Sequence, residues 1–161
     1  MLKLIAIIMI KIEIVSEEKN WSKKIKKKEF FFKSICKSFP KKYRFLNKKF
    51  SLTLLLSNNK SIKKLNKKFR NKNKPTDILS FPFENKIKKK NELYLGDIVI
   101  SYNFMDKPKS QNSILFKEKV IKTFIHGFLH LLGFDHIKFK DFKKMLQEER
   151  NIYQSVIKKI Y

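Results

Sequence analysis

The chain has 161 residues and a mass of 19.4 kDa, a length that predicts one domain spanning 1–161 at roughly 150 residues per domain and excludes a tandem of independent units. With 42% hydrophobic residues it can bury a core, which excludes wholesale disorder. Its 39 Lys+Arg against 14 Asp+Glu leave a net charge of +25, but only Arg44, Arg70 and Arg150 are arginine, whereas phosphate-reading surfaces favour the planar guanidinium fork. The excess is lysine, and it accompanies 20 Ile, 16 Phe and 12 Asn beside one Ala and three Gly, the skew of A/T-rich coding. Charge alone therefore does not identify a nucleic-acid binder, although such a surface attracts polyanions in a salt-dependent way.

Cys36 is the single cysteine, which excludes an intramolecular disulfide and a multi-cysteine zinc site and fits a reducing cytoplasm. The apolar run Leu4 to Ile10 covers seven residues, against about 20 needed to cross a bilayer, and no small-residue cleavage site follows it. No membrane anchor or export is expected. Met9 could serve as the start, which would leave residues 1–8 as an extension. Ile10, Lys11, Ile12, Glu13 and Ile14 alternate as in a strand with one buried face.

From Asn20 to Ser38, Trp21, Ile25, Phe32, Ile35 and Phe39 fall at helical spacing, and Pro40 ends the pattern, which predicts one lysine-rich helix. Phe50 to Leu56 reads as a strand. Ser57 and Asn58 are candidate N-caps of a helix carrying Ile62, Leu65 and Phe69, with Arg70 near its end. Beyond the loop Asn71 to Pro75, Thr76 to Phe83 reads as a strand ended or bulged at Pro82. Lys86 to Lys90 reads as a solvated connection, and Tyr94 to Ser101 as a strand interrupted by Gly96. After a loop around Pro108, Ser113 to Leu132 shows a broad apolar face of Val120, Ile121, Phe124, Ile125, Phe128, Leu129 and Leu132, with Gly133 as its cap. A last helix runs from about Lys140 to Ile160. Interspersed strands and helices predict an α/β or α+β layer, a small mixed sheet packed with helices.

All three histidines lie within HGFLHLLGFDH, as His126, His130 and His136. Glu118, Lys122, His126 and His130 succeed one another at i+4, so the imidazoles continue a polar stripe instead of entering the apolar face. His126 and His130 stand one turn apart, and a chain turning back after Gly133 can present His136 beside them. Neutral imidazoles suit zinc, and three ligands without an evident fourth are the arrangement of a catalytic zinc with an open position. A closed, structural site would need Cys36 by long-range packing, or Asp135 or Asp141 locally. The histidine spacing also matches the metzincin protease pattern, but where that pattern carries a glutamate base this chain has Gly127. A mid-helix glycine costs about 1 kcal/mol relative to alanine, which predicts that substrate or backbone comes close there.

Together with LNKKFRNKNKPTDILSFPFE (Leu65 to Glu84) and LGDIVIS (Leu95 to Ser101), the histidine motif resembles the YbeY family of bacterial ribosomal RNA maturation factors, from about Ile10 to the last helix. The resemblance implies a single-domain α/β metalloprotein with one Zn2+ on His126, His130 and His136. It would act as a single-strand-specific endoribonuclease in the processing of ribosomal RNA, including the 3′ end of the small-subunit RNA, and in ribosome quality control. It further implies a functional role for Arg70, and as partners ribosomal RNA, ribosomal subunits and proteins and a ribosome-associated GTPase. Phe69 and Phe134 stand where the family commonly has tyrosine.

In such a site zinc would activate the nucleophile and polarise a phosphoryl oxygen, and Arg70 would hold non-bridging oxygens. Asp135 is placed to orient an imidazole or to form a turn. Phe81, Phe83 and Tyr94 are candidates either for stacking on unpaired bases or for core packing. Two other readings are a non-catalytic zinc-containing assembly factor and a metalloprotease lacking its general base.

Overall fold

The computed structural model describes residues 10–43, 49–84 and 92–161. The lead-in Met1 to Ile8 and the Lys86 to Lys90 run lie outside the described residues. The elements are β1 (Lys11–Ser16), α1 (Trp21–Lys24), α2 (Lys28–Lys37), a 3-10 turn (Lys41–Tyr43), β2 (Lys49–Ser57), α3 (Asn59–Arg70), β3 (Ile78–Pro82), β4 (Glu92–Ser101), α4 (Tyr102–Met105), α5 (Ser113–Leu131) and α6 (Phe139–Ile160).

One four-stranded mixed sheet in the order β1-β2-β4-β3 organises the α+β chain. β1, β2 and β4 run parallel, and β3 returns antiparallel along β4 as an edge strand, where Pro82 is tolerated. Alternation along β2 sends Phe50, Leu52, Leu54 and Leu56 into the larger core, which they share with Ile98 and Ile100 of β4 and the apolar face of α5. The opposite face of the sheet is closed by α3: Ile62 packs with Leu79 and Val99 in a smaller cluster. Helices therefore cover both faces.

The stretch expected to be one helix from Asn20 to Ser38 is two. Ile25 is extended (φ −129°, ψ 93°), which ends α1 and lets Ile25 bury while α2 begins at Lys28. The residues at helical spacing, Trp21, Ile25, Phe32, Ile35 and Phe39, are all buried as the pattern requires, but lysines at 23, 24, 26, 27 and 28 would crowd like charges at i+3 and i+4 in an unbroken helix. Trp21 is fixed at the break, donating its Nε1–H to the Ser57 carbonyl at 3.0 Å and meeting Tyr102 and Phe116 edge-on. Ser57 is the last residue of β2, and the cap of α3 is Asn58, whose Oδ1 accepts the Ser61 N–H at 3.0 Å.

Cys36 lies on α2 within the main core, and burial pushes its thiol up to about 12. Behind it, Ser155 of α6 donates to the Ser38 carbonyl at 2.7 Å. Glu148 of α6 also reaches the 3-10 turn. It accepts from the Tyr43 hydroxyl and lies 2.7 Å from Lys42 Nζ. Burial pushes this carboxyl upward, but the Lys42 ammonium and the Tyr43 hydroxyl outweigh it and hold the carboxylate below its usual range.

Gly96 interrupts β4 as its position predicted. Between the pairs Ser51↔Tyr94 and Thr53↔Asp97 the ladder gains one residue on β4, and Gly96 takes φ +133°. A Cβ there would stand 2.1 Å from the Phe81 carbonyl oxygen. Gly96→Ala is expected to destabilise the chain by about 3 kcal/mol, combining backbone strain with a backbone clash, read as a lowered denaturant midpoint at unchanged slope. For Glu148 the sign follows from its depressed titration. Its stabilisation is complete above the unfolded-state value and is lost as pH falls through the lower folded-state value. Unfolding free energies measured from pH 7 down to pH 3 should therefore decline less steeply in Glu148→Gln than in the parent.

Candidate metal centre and substrate groove

The C-terminal half of α5 carries the histidines. That half is largely buried through Ile121, Phe124, Ile125, Gly127, Phe128, Leu129 and Leu131, which leaves a narrow strip for polar side chains. His126 and His130 occupy that strip, half-buried and one turn apart. The helix then ends in a paired-bond cap: the Gly133 N–H binds the His130 carbonyl and the Phe134 N–H the Leu129 carbonyl, both at 3.0 Å, with Gly133 at φ +90°. That reversal brings His136 back over the helix end. The three rings sit with centroids 4.6, 5.0 and 5.5 Å apart, and their candidate ligand atoms all lie within 4.8 Å of one another.

The hydrogen bonds assign which nitrogens face inward. His130 Nδ1 lies 2.9 Å from the Phe134 carbonyl oxygen and His126 Nδ1 lies 2.6 Å from Glu149 Oε1. Both partners accept, so both Nδ1 atoms carry the proton in the neutral rings. The two Nε2 atoms then face each other at 3.1 Å as lone pairs with no hydrogen between them. A cation resolves such a pair. Burial, and the neighbouring His126, hold His130 below the usual imidazole value against the opposing pull of the Phe134 carbonyl, which favours the neutral form that ligates. The donor set thus fits a zinc ion.

Among the described residues, no fourth histidine, cysteine or carboxylate joins this cluster. Cys36 cannot close it, being enclosed in the core on α2. Asp135 accepts the His136 backbone N–H at 2.6 Å, so it shapes the turn and does not orient an imidazole ring. Asp141 is not among the groove-lining residues; it lines an adjoining recess with Leu132 and Lys144 that shares Gly133, Phe134 and Asp135 with the groove. The orienting carboxylate is Glu149 of α6, which sequence reasoning missed. Its signal was its position: it follows the buried Met145 by four and precedes the buried Ile152 by three, an acid on the flank of the apolar stripe.

The mid-helix glycine next to His126 also has a physical cause. A Cβ at Gly127 would come within 2.6 Å of Ile78 Cδ1, 3.0 Å of Ser80 Oγ and 3.2 Å of Ile98 Cγ2. The protein atoms that come close are side chains of β3 and β4 and not backbone, and Ser80 Oγ donates to the Gly127 carbonyl at 3.3 Å. α5 lies hard against the sheet.

The histidines open onto a groove of about 800 Å³ between α5, β3 and the end of α3, and Arg70 lines the same groove. α3 delivers it: Arg70 is its last residue, Asn71 turns the chain in the left-handed conformation (φ 55°), and buried Asn66 donates to the Lys74 carbonyl at 2.7 Å to hold the following loop. In a chain of 36 lysines, none is among the described residues lining this groove. By contrast, a groove of about 710 Å³ at the other end of α5 is lined by six lysines and no carboxylate. Arg70 is therefore the guanidinium placed where the imidazoles are. Phe69 and Phe81 line the groove as an edge-on pair at 5.0 Å, whereas Phe83 and Tyr94 pair with each other.

Glu149→Gln keeps the shape of the side chain and removes its charge. It is expected to weaken zinc binding by about 10- to 100-fold, measured by competition with a chromogenic chelator, while the far-UV circular dichroism stays that of the parent.

The family model described as Endoribonuclease YbeY matches residues 13–157. The chain is 66% identical over 152 residues to the Endoribonuclease YbeY of Pelagibacter ubique, covering 94% of this chain and 99% of the relative. It is 37% identical over 123 residues to that of Sulfurihydrogenibium sp., covering 76% and 78%. The solution structure of TM1509 from Thermotoga maritima superposes with a TM-score of 0.53 at 24% identity, over 90% of this chain and 88% of that one, which speaks for the fold.

Proposed function

The chain belongs to the YbeY endoribonuclease family, and from that premise we propose that it is a zinc-dependent, single-strand-specific endoribonuclease of ribosomal RNA. Its work would include maturation of the 3′ end of the small-subunit RNA and ribosome quality control in the cytoplasm, with ribosomal subunits and a ribosome-associated GTPase as partners. His126, His130 and His136 would hold the ion. The observation that carries this reading is the pair of facing Nε2 lone pairs, 3.1 Å apart, in the groove that Arg70 lines.

Cleaving a phosphodiester requires an activated nucleophile and stabilisation of the charge that gathers on the non-bridging oxygens. When bound, zinc supplies Lewis acidity toward phosphoryl oxygen and lowers the pKa of water at the site. Arg70 offers a planar fork of N–H donors to the non-bridging oxygens, a bidentate grip that a lysine cannot make. Glu149 and the Phe134 carbonyl hold the His126 and His130 rings in one tautomer and one orientation. Two carboxylates line the groove, and each is engaged with the backbone: Asp77 accepts the Ile78 N–H and Asp135 the His136 N–H. Both bonds use Oδ1 alone, and with glycine at position 127 the metzincin base is missing.

Cleavage of a labelled single-stranded fragment of ribosomal RNA at physiological salt tests the reading, with parent, Arg70→Ala and His130→Ala compared at verified folding. The parent is expected to cut, Arg70→Ala to lose about 100-fold or more, and His130→Ala to be inactive. Equal cleavage by all three would refute it. A 2′,3′-cyclic phosphate on the product would identify the substrate's own 2′-hydroxyl as the nucleophile.

A further inference from the structure

Just beyond His136 the chain carries apolar side chains held out in water. Ile137, which lines the groove, is 85% exposed, and Phe139, two residues on and thus within about 7 Å along the chain, is 72% exposed. Phe142 follows one turn along α6 and is also exposed. Apolar area concentrated at the mouth of a functional groove is the mark of a contact surface. Lysines alternate with it in the sequence at 138, 140 and 143, and Lys143 Nζ stands 4.6 Å from the centre of the Phe139 ring. On the other wall Phe69, 57% exposed, adjoins Arg70 and is braced edge-on by Phe81.

The spacing selects the occupant. Lysines 138, 140 and 143 are interspersed with Ile137, Phe139 and Phe142, with Asp141 the single acid among them, so apolar faces neighbour cations as base faces neighbour phosphates along a nucleic-acid strand. We propose that Phe69 on one wall and Ile137 on the other, with Phe139 beyond it outside the groove lining, are platforms that hold the unpaired bases flanking the phosphate at the histidines. This rests on the endoribonuclease reading and assigns its strand selectivity to named residues. Bases within a duplex are already stacked and paired and cannot reach either wall without the cost of unstacking, while their phosphates are as available to the lysines as those of a single strand.

The test compares the parent with the double variant Ile137→Ser, Phe139→Ser, whose replaced side chains are exposed, with folding checked by circular dichroism and thermal melting. Affinity is measured by fluorescence anisotropy on a short labelled single-stranded RNA with a cleavage-resistant phosphorothioate backbone, and on its abasic twin, which has the same charge and lacks the bases. The parent is expected to bind the base-bearing strand about tenfold more tightly than the abasic one. The double variant should lose most of that preference while its affinity for the abasic strand stays within about twofold of the parent's. A parent without base preference, a variant that keeps it, or an equal loss on both strands would overturn the proposal. So would a variant that keeps the preference but no longer binds ribosomal subunits, which would mark the patch as a protein-docking face. A parent that prefers base-bearing strands but cuts no unmodified RNA would refute the endoribonuclease reading and leave the platforms standing.

Discussion

The site depends on how closely α5 lies against the sheet. A helix kept away by ordinary side chains would carry its imidazoles away from β3 and from the arginine at the end of α3. Gly127 removes the obstacle at the point of contact, and Ile78, Ser80 and Ile98 fill the space where its Cβ would be. The helix propensity lost at one position is offset by packing along both elements. The same contact sets the height of the groove floor, because His126 directly precedes Gly127 and His130 follows it by three.

Charge is distributed in two ways. The lysines are spread over helix faces and connections, and six of them line a separate groove at the far end of α5. The histidine groove instead holds imidazoles pinned by Glu149 and the Phe134 carbonyl, and an exposed guanidinium at a capped helix end. A surface of mobile ammonium groups attracts anions from a distance, and that attraction weakens as salt rises. On the proposed function, the groove would act at short range through its imidazoles and guanidinium, and recruitment and chemistry would fall to different residues.

Much of this was legible in the residues. The alternation of β2, the apolar breadth of α5, the interruption at Gly96 and the cap at Gly133 are local signals, and each appears where its own chemistry demands it. The three histidines were readable as a group because helical spacing and a glycine turn are enough to place them. What escaped were long-range relations. The break at Ile25 answers to its burial in the main core and to the lysines around it, not to apolar periodicity, so the apolar spacing named the right core residues in the wrong element. Glu149 meets His126 across 23 positions through the packing of α6 on α5, which no spacing rule encodes. Asp135 was nearer in sequence, and the backbone N–H of its neighbour claimed it. Arg70 could be singled out by the scarcity of arginine and by family resemblance, but its place in the histidine groove required the fold.

The enclosure of Cys36 that removes it from the metal centre also makes it a gauge of the whole molecule. It is the only thiol in the chain, and its proton is held to about 12 by burial in the core shared by α2 and the sheet. The reactive thiolate is therefore scarce, and its path to reagents is closed, as long as that core stays intact. An alkylating reagent that marks this protein has caught it open, and the labelling rate counts openings of the core without any engineered probe.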